Sequence, residues 1–492
     1  MLVNTELRDV LNEYGKPCKQ LVVSYINNQG KISYLTYNIP DSQMYQWKYA
    51  KRSDVPDAQF KSWDYKNVVR VQSDGYLNEY RLHEILLDLA AQNPQVNTIH
   101  EFHKPDTYYC DIEVDVDDDG FPDADNVRNQ VNTISWVHES DVYVFGRANL
   151  SSEDIERIQK NIDEHCKGFK TKYKFTYLYY DSEVNMLNDF FWNHFRHADC
   201  VTGWNFFGYD YKYLYNRAKV LGIDISYLSP TNAWFKQKLQ TSEGEHITLP
   251  KHKLLYDYME VYVKWDRTVD VKESNKLDWV SEKVLGIKKV VHQLGFKDLW
   301  AQKPADYVFY NAVDSILVRE IDLKISTSTT FMSLASLMHV DALVAFSPVR
   351  SLEIVQCEYL YKEGRVMPNM QKKAATKEGY EGAFVYEPIR GIYKNVIALD
   401  FASLYPSTIR QFNVSPETFI KVDKNHTRAA DEIMCTSGAI YKRNLPGFIP
   451  KICTDFYNKR KEFKKEMMEA IHEKYALIEI YEQRFGKYED DD

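Results

Sequence analysis

The order of apolar and polar positions along the chain predicts helices and strands that alternate. Residues 20–36 follow a β-rich pattern on both sides of a glycine-containing turn, which predicts a hairpin. Residues 78–92, 151–167 and 183–197 repeat apolar positions at helical spacing. Because strand and helix patterns alternate as far as about residue 325, we expect a multidomain α/β protein.

Three further segments combine a clear pattern with charged residues. Tyr108–Val114 has the pattern of a buried strand and carries two acidic residues. Asn395–Leu399 predicts another strand, which ends at Asp400. The residues from Pro450 to about Phe485 form one long helical pattern with a cluster of basic residues near its start. Charged residues in such positions are candidates for a functional site.

Composition indicates a folded protein of several domains. The chain has 492 residues, of which 44% are hydrophobic and 27% charged, and roughly 100–200 residues per domain predict about three domains. These fractions exclude a disordered, collagen-like or coiled-coil chain. No stretch reaches the roughly 18 apolar residues of a membrane span, and the N-terminus lacks the layout of a signal peptide. We therefore expect a cytoplasmic protein.

The cysteines, the net charge and the aromatic residues say less about the function of the protein. Seven scattered cysteines without a CxxC pair predict reduced thiols and argue against a zinc ribbon. The formal charge of −9 does not point to nucleic acid, but a basic groove can lie beside an acidic metal site. The 37 tyrosines and 24 phenylalanines would suit base stacking, although sheet and interface packing is their more frequent role.

Asp111 and Glu113 are the first candidate metal ligands. They stand two apart on a predicted strand, so their side chains point to the same face. Two carboxylates on one face are costly unless a cation neutralises them, and oxygen ligands suit Mg²⁺ or Mn²⁺. Taken alone, such a pair is more often a solvated strand face.

A calcium loop is an alternative use of the residues that follow. Asp115–Gly120 resembles the start of an EF-hand loop, with Asp at its first, third and fifth positions. The twelfth position is Asn126, where a bidentate Glu is expected, and a predicted strand precedes the loop where a helix is required. We therefore favour a solvated acidic turn.

Two later segments add to the acidic set. Thr202–Asp210 contains Asn205 and Asp210 close to two glycines. In Tyr310–Asp314 the first and last residues are four apart, so on a helix they share one face. Each segment alone is a weak signal, but the three acidic segments follow one another about 100 residues apart.

These three segments resemble the Exo I, Exo II and Exo III motifs of 3′→5′ proofreading exonucleases. Over its whole length, the chain is similar to about the first half of the family B replicative DNA polymerases of T-even-type phages. The resemblance implies an RNase H-like exonuclease domain and a location in the cytoplasm of an infected bacterium. It also implies four metal-binding carboxylates that form the catalytic set, a tyrosine that orients the attacking water, and an asparagine that contacts DNA: Asp111, Glu113, Asp210, Asp314, Tyr310 and Asn205.

The residue types agree with phosphodiester hydrolysis. Two divalent ions about 4 Å apart can activate a water and stabilise the leaving oxygen, and four carboxylates suffice to hold them. No side-chain nucleophile is needed, and a tyrosine hydroxyl can position the water. We therefore expect Mg²⁺ or Mn²⁺ as the cofactor, with two ions per active site.

Asp400–Ser407 is the most specific string in the chain. It resembles motif A of family B polymerases, which lies at the end of a palm strand. The resemblance implies that Asp400 binds the polymerase metals. It also implies that Ser403 and Leu404 contact the triphosphate and that Tyr405 excludes a 2′-hydroxyl by packing under the sugar. The implied substrates are a dNTP and a DNA primer–template.

Two flanking segments fit the same family. Tyr380, Gly382 and Ala383 match a segment between exonuclease and palm that contacts DNA. Arg460 and Lys464 stand four apart on the long predicted helix and match the cations that grip the triphosphate. A solvated basic helix face is the alternative for this last pair.

Two motifs of the family have no match in these 492 residues. They are motif B, on the second fingers helix, and motif C, with its Asp-Thr-Asp. Asp400 alone does not hold two metals, so we do not expect this polypeptide to synthesise DNA by itself. We favour the N-terminal subunit of a split polymerase, which needs a C-terminal subunit with motifs B and C and reaches a sliding clamp through it. A truncated product of a full-length polymerase is the alternative.

Two other functions stay open. A stand-alone 3′→5′ exonuclease would carry a vestigial polymerase remnant and would need no partner. A non-catalytic binding module would keep the carboxylates only as relics. We disfavour the binding module because every expected carboxylate is present together with its tyrosine.

The resemblance also implies a division of the chain into four parts. Residues 1–105 form an N-terminal β-rich domain, to which the chain returns at about 330–372. Residues 106–328 form the exonuclease domain, 373–446 a partial palm, and 447–492 the first fingers helix.

Overall fold

A computed structural model describes residues 1–12, 14–73, 75–117, 120, 122–238, 245–265, 274–290, 294–368 and 386–487. The chain divides into two compact units, 1–43 with 88–352 and 44–87 with 353–492. The division into four domains stays a prediction.

The strands and helices have the following bounds. The strands are β1 (Leu2–Leu11), β2 (Pro17–Ile26), β3 (Ile32–Ile39), β4 (Tyr45–Tyr49), β5 (Lys61–Ser62), β6 (Val68–Gln72), β7 (Thr107–Val114), β8 (Val131–His138), β9 (Asp141–Gly146), β10 (Lys174–Tyr179), β11 (Cys200–Gly203), β12 (Trp234–Lys238), β13 (His246–Pro250), β14 (Leu254–Asp257), β15 (Arg365–Val366), β16 (Phe419–Val422), β17 (Glu432–Met434) and β18 (Ala439–Lys442). The helices are α1 (Glu79–Gln92), α2 (Ser152–His165), α3 (Glu183–Asp189), α4 (Asp210–Val220), α5 (Tyr258–Trp265), α6 (Leu277–Leu285), α7 (Phe296–Gln302), α8 (Pro304–Ile325), α9 (Thr327–Leu337), α10 (Pro348–Lys362), α11 (Leu404–Phe412) and α12 (Phe448–Phe485).

A six-stranded sheet organises the first unit. Its strands lie in the order β10-β9-β8-β7-β11-β14. The pairs β7–β8 and β8–β9 are antiparallel, whereas β7, β11 and β14 run parallel to one another. The predicted α/β class is confirmed. β7, which carries the first two acidic residues, has a paired strand on each side, so its backbone is satisfied inside the sheet.

Helices cover this sheet with apolar side chains. Ile112, Trp136, Phe190 and Leu255 belong to its core, and none is more than 4% exposed. α8 packs against β7 and β8. It begins at Pro304, whose missing N–H costs nothing in the first helical turn. The longest helix of this unit is therefore held against the strand that carries Asp111 and Glu113.

Most of the predicted elements of the N-terminal half are present. The hairpin at 20–36 is β2 paired with β3, and the helices at 78–92 and 151–167 are α1 and α2. The helix predicted over 183–197 is regular only to Asp189, where α3 is followed by a π-helical turn and then a 3₁₀ turn.

The second unit contains small sheets and a buried ion pair. β4 pairs with β6, β5 pairs with β15, and β16-β18-β17 form an antiparallel sheet. Arg81 and Glu84 on α1 are both buried and lie 2.9 Å apart. Glu84 also accepts a hydrogen bond from the Trp47 indole N–H at 2.9 Å. These partners make the buried charges tolerable.

One predicted strand is absent from the described chain. Residues 395–399 form no strand, and the whole stretch 386–402 is exposed. A strand needs a neighbour for its backbone N–H and C=O groups, and no described residue pairs with this segment. The prediction of a strand that ends at Asp400 is therefore wrong for the described residues.

The long C-terminal helix is confirmed. α12 begins at Phe448, two residues earlier than predicted, and it accommodates Pro450 in its first turn, where proline is tolerated. Residues 458–487 are exposed, apart from the partly buried Ile478. Among the described residues, no helix is long and apolar enough to cross a membrane.

Candidate active site

Three of the predicted ligands meet beside the central strand of the first unit. Asp111 and Glu113 lie on β7, and Asp314 lies on α8. One oxygen atom from each of these carboxylates lies within 4.8 Å of the others. Within the described ranges this is the only group of three His, Cys, Asp or Glu side chains spaced to hold a metal ion.

Asp210, the fourth predicted ligand, lies beside this group and not within it. It is the first residue of α4 and is 3% exposed. Its Oδ1 accepts a hydrogen bond of 2.9 Å from the backbone N–H of Ile112, between the two acidic residues of β7. Burial, and then repulsion from Asp111, raise the pKa of Asp210 well above its usual value. The fold thus collects all four predicted carboxylates around β7.

Burial and mutual repulsion disfavour the charged forms of these acids. Burial, followed by repulsion from Asp314, raises the pKa of Asp111 to about 8. Burial, with repulsion from Asp111 and Asp314, also raises the pKa of Glu113 well above its usual value. The pKa of Asp314 is raised by burial, although the nearby Lys289 ammonium partly opposes this. A bound cation would remove most of this cost, because it attracts the charged form of each acid.

The three clustered carboxylates fit a divalent cation. Asp314 is 2% exposed, and its Oδ1 has no hydrogen-bond partner among the described residues. A buried carboxylate oxygen without a donor is an exception that requires an explanation, and a bound cation would supply one. Mg²⁺ and Mn²⁺ prefer such hard oxygen donors. Asp111, Glu113 and Asp314 are therefore the residues able to hold the metal.

Lys289 also belongs to the site, although no sequence motif marks it. Its Nζ lies 2.5 Å from Asp314 Oδ2 and donates a hydrogen bond of 3.1 Å to the Tyr310 hydroxyl. Burial alone would lower the pKa of Lys289, but Asp314, Tyr310 and Asp111 outweigh it and raise that pKa. The lysine follows α6 with no motif spacing to mark it, so only the folded chain reveals its place.

Tyr310 lies where the resemblance implies, one turn of α8 before Asp314. Burial, and then the charge of Asp314, raise the pKa of the Tyr310 hydroxyl above its usual value. The hydroxyl is therefore protonated at neutral pH and can donate a hydrogen bond. The next residue, Asn311, was also missed: its Nδ2 donates a hydrogen bond of 2.7 Å to Asp111 Oδ2.

The segment around Asn205 forms a tight turn in which Gly203 lies close to the backbone of β7. Asn205 has a positive φ of 58°. A Cβ atom on Gly208 would lie 2.3 Å from Asn205 Oδ1, and one on Gly203 would lie 2.3 Å from the carbonyl oxygen of Cys110. Glycine therefore lets this turn close tightly against β7.

A cavity of about 530 Å³ adjoins the carboxylates. Asp111 and Asn205 contribute polar groups to its wall, and Trp204, Met259 and Leu277 contribute apolar surface. Apolar walls with a few polar groups are typical of sites that bind small organic groups. The cavity has room for a ligand next to the metal-binding residues.

The motif A residues do not form a comparable site in the described part of the chain. Asp400 is exposed, and Tyr405 is 75% exposed. Ser403 has a positive φ of 54° and directly precedes α11, which begins at Leu404. No group of three metal-ligating side chains includes Asp400 in the ranges described. Its role as a ligand stays a prediction.

The other nucleotide and DNA contacts also stay predictions. Arg460 and Lys464 are exposed on α12. Tyr380, Gly382 and Ala383 lie outside the described residues.

The residues of the alternative calcium loop are only partly described. Asp115 and Asp117 are exposed, and Asp119 lies outside the described residues. The element before them is the strand β7, whereas an EF-hand requires a helix there. The fold therefore does not support the interpretation of these residues as a calcium-binding loop.

Two family models match the chain, and together they cover more than half of it. "DNA polymerase family B, exonuclease domain" matches residues 66–264. "DNA polymerase family B" matches residues 349–484. Most of the exonuclease match, residues 88–264, lies in the first unit, whose mixed α/β sheet is consistent with an RNase H-like fold.

The chain is also similar to several curated DNA polymerases. The DNA-directed DNA polymerase of Escherichia phage RB69 is 30% identical over 387 residues, which are 73% of this chain and 42% of that protein. The DNA-directed DNA polymerase of Enterobacteria phage T4 is 27% identical over 383 residues, again 73% and 42%. A DNA polymerase of Archaeoglobus fulgidus is 28% identical over 295 residues, 58% of this chain and 35% of that protein.

The chain belongs to DNA polymerase family B. It spans less than half the length of the curated relatives that it matches.

Proposed function

We propose that the carboxylate centre of the first unit hydrolyses the terminal phosphodiester bond at the 3′ end of DNA, as a proofreading exonuclease. The observation that carries this proposal is the group of Asp111, Glu113 and Asp314, with oxygens within 4.8 Å of one another. Asp210 lies next to the group and completes the four carboxylates that two metal ions need. The exonuclease family match supports the same reaction.

The residues divide the work of an in-line hydrolysis. Asp111, Glu113, Asp210 and Asp314 would hold two Mg²⁺ or Mn²⁺ ions. These ions, when bound, neutralise the phosphate and acidify the attacking water. The protonated Tyr310 hydroxyl orients that water by hydrogen bonding. Lys289, next to Tyr310 and Asp314, supplies positive charge where negative charge grows on the phosphate.

The adjoining cavity suits the terminal nucleotide. Its apolar wall, formed by Trp204, Met259 and Leu277, offers a surface for a base. Asn205 on the same wall offers polar atoms for the sugar or phosphate. An unpaired 3′ end would enter such a cavity more easily than a paired one, because pairing holds its base in the duplex.

Hydrolysis of a 5′-labelled single-stranded oligonucleotide in Mg²⁺ tests the exonuclease proposal. We expect the wild-type chain to shorten the labelled oligonucleotide stepwise. The double variant D111N/E113Q should leave the oligonucleotide intact. D400N is the matched control, since it also replaces a carboxylate by an amide but lies in the other unit and is exposed. Equal hydrolysis by wild type and D111N/E113Q would overturn the proposal.

We further propose that the second unit supplies part of a DNA polymerase site. Asp400 would bind metal, with Ser403, Leu404 and Tyr405 at the incoming dNTP. The α12 cations Arg460 and Lys464 would contact its triphosphate, while Tyr380, Gly382 and Ala383 would contact the primer–template. Synthesis would require motifs B and C from a C-terminal subunit, through which a sliding clamp would also be reached. The family B match over 349–484 supports this assignment.

Exposed apolar surface supports a requirement for further polypeptide. Along α12, Phe463, Met467 and Tyr475 are each more than 50% exposed. In the segment before motif A, Ile397 and Leu399 are 84% and 93% exposed. Apolar patches of this kind mark interaction surfaces. A separate subunit or a continuation of the same chain would cover them equally well.

Complex formation separates these possibilities from a stand-alone exonuclease. A polypeptide with motifs B and C, mixed with this chain, is expected to co-elute with it in size-exclusion chromatography. M467K should abolish the complex, because a charge replaces an apolar contact, whereas K465E, at an exposed lysine of the same helix, serves as the surface control. Failure of the two polypeptides to associate would favour a stand-alone exonuclease. The four carboxylates that lie close together in the first unit are consistent with that alternative.

A further inference from the structure

An amide side chain lies among the acids of the metal centre. Asn311 is on α8, directly after Tyr310 and three residues before Asp314. It is 0% exposed. Its Nδ2 donates a hydrogen bond of 2.7 Å to Asp111 Oδ2, across the contact between α8 and β7. No predicted motif role is attached to this residue.

The hydrogen bond fixes one of the two oxygens of Asp111. The donor comes from a buried helix, so it cannot follow the carboxylate if that side chain rotates. The hydrogen bond therefore favours the orientation of Asp111 in which Oδ2 faces the amide. Glu113 and Asp314 lie within 4.8 Å of the carboxylate held in this way.

Packing alone does not explain an amide at this position. The Asn311 Oδ1 atom is buried and has no hydrogen-bond partner among the described residues. A buried acceptor without a donor is destabilising, so leucine, of similar size, would serve a packing role better. The contact with Asp111 is the feature that an asparagine provides and a leucine does not.

A carboxylate at position 311 would be equally unsuitable. It would add a further negative group against Asp111, Glu113 and Asp314, and it would accept hydrogen bonds where Asp111 needs a donor. The neutral amide donates without adding charge.

We propose that Asn311 is a positioning residue of the metal centre: it holds the Asp111 carboxylate in the orientation in which it binds the divalent cation together with Glu113 and Asp314. This inference rests on the proposed function, since it concerns the same metal centre. Groups that orient a metal ligand from behind typically contribute 10–100-fold to metal affinity. In this role Asn311 acts through Asp111 and is not itself a ligand of the cation.

Direct Mn²⁺ titration, followed by electron paramagnetic resonance, tests this role without reference to activity. N311L and N311A are expected to bind Mn²⁺ at least about tenfold more weakly than wild type. Hydrolysis at low Mn²⁺ should fall in parallel and recover as Mn²⁺ is raised, with an unchanged KM for DNA. N311A, the smaller substitution, keeps the test valid if N311L does not fold, and a thermal melt identifies the folded variants.

Asn216 provides the matched control. It is a partly buried asparagine on α4 whose Nδ2 donates a hydrogen bond of 2.8 Å to the carbonyl oxygen of Ala124, away from the carboxylates. N216A is expected to bind Mn²⁺ as wild type does. Wild-type Mn²⁺ affinity in folded N311A or N311L would overturn the proposal, and so would an equal loss of affinity in N216A.

The double variant D111N/E113Q distinguishes this inference from the function beneath it. If the double variant loses Mn²⁺ binding while N311A keeps it, the metal centre stands and only the positioning role fails. If the double variant binds Mn²⁺ like wild type, the metal centre itself is wrong.

Discussion

The two units each contain an acidic residue that the family pattern marks as a metal ligand, yet their surroundings differ completely. Asp111 lies on a strand paired on both sides, with Glu113, Asp314, Asn311 and a lysine around it. Asp400 lies in an exposed stretch that pairs with no described strand. The first has the neighbours of a metal site, and the second has only its motif.

The difference shows that a motif identifies a family but does not by itself form a site. The carboxylates of the first unit are brought together by sheet order and by α8 packing, which the chain supplies from within residues 107–325. Among the described residues, no group of three metal-ligating side chains includes Asp400. The two centres should therefore respond in opposite ways to substitution, pH and added polypeptide.

The largest difference is expected when one carboxylate is removed from each centre. D314A should lower the rate of 3′ hydrolysis by about 10³-fold or more, because metal-site residues act as a unit and the loss of one disables the rest. D400A should leave hydrolysis unchanged. Single-turnover experiments on 5′-labelled single-stranded DNA measure the hydrolysis rates of both variants. Similar rates for D314A and D400A would remove the distinction between the centres.

Lys289 should have the next largest effect. K289M is expected to lower the rate of hydrolysis by about 10²-fold, the usual size for loss of one group that stabilises transition-state charge. K289R should retain more activity, since it keeps the positive charge beside Asp314 and Tyr310. K288M, at the adjacent and more exposed lysine, is the matched control. An equal loss in K288M would show that the effect is not local to the site.

Stability of the metal-free protein should depend on pH through the acidic centre. The pKa of Asp111 is about 8 in the folded chain against a usual 3.8, so the folded state keeps a proton that the unfolded state has lost. The free energy of unfolding should therefore fall as pH rises from about 4 to about 8. Chemical denaturation at several pH values in EDTA measures this slope.

The slope should be shallower in D111N and unchanged in D400N. Mg²⁺ should stabilise the wild type more at high pH, because bound metal competes with the proton for the same carboxylates. A D111N profile that coincides with the wild type would contradict the assignment of this pH dependence to the acidic centre.

The sequence predicted those strands and helices that depend on a local pattern of apolar residues. Tyr108–Val114 was found as a buried strand, and α12 was found to within two residues, since each has a strong periodic signal. Lys289 and Asn311 were missed because their roles come from contacts with residues 25 and 200 positions away. The prediction of a strand at 395–399 was wrong for a related reason. An apolar pattern forms a strand only where another strand lies beside it, and the local sequence does not show whether one does.

The smallest effect is expected at Tyr405. Because its side chain is 75% exposed, Y405A should change the free energy of unfolding by no more than about 0.5 kcal/mol, and it should leave hydrolysis unchanged. Its effect should emerge only when the chain extends a primer together with a subunit that carries motifs B and C, as weaker exclusion of ribonucleotides. Unaltered exclusion in that assembly would remove its role as the gate.

A single gel assay tests most directly whether the exonuclease centre is complete and the polymerase centre is not. The purified chain is incubated with Mg²⁺ and a 5′-labelled primer–template, with and without dNTPs, and then with a polypeptide that contains motifs B and C. We predict that this chain alone shortens the primer, whether or not dNTPs are present, and that extension occurs only after the second polypeptide is added. Extension by this chain alone, or no shortening in Mg²⁺, would contradict this prediction.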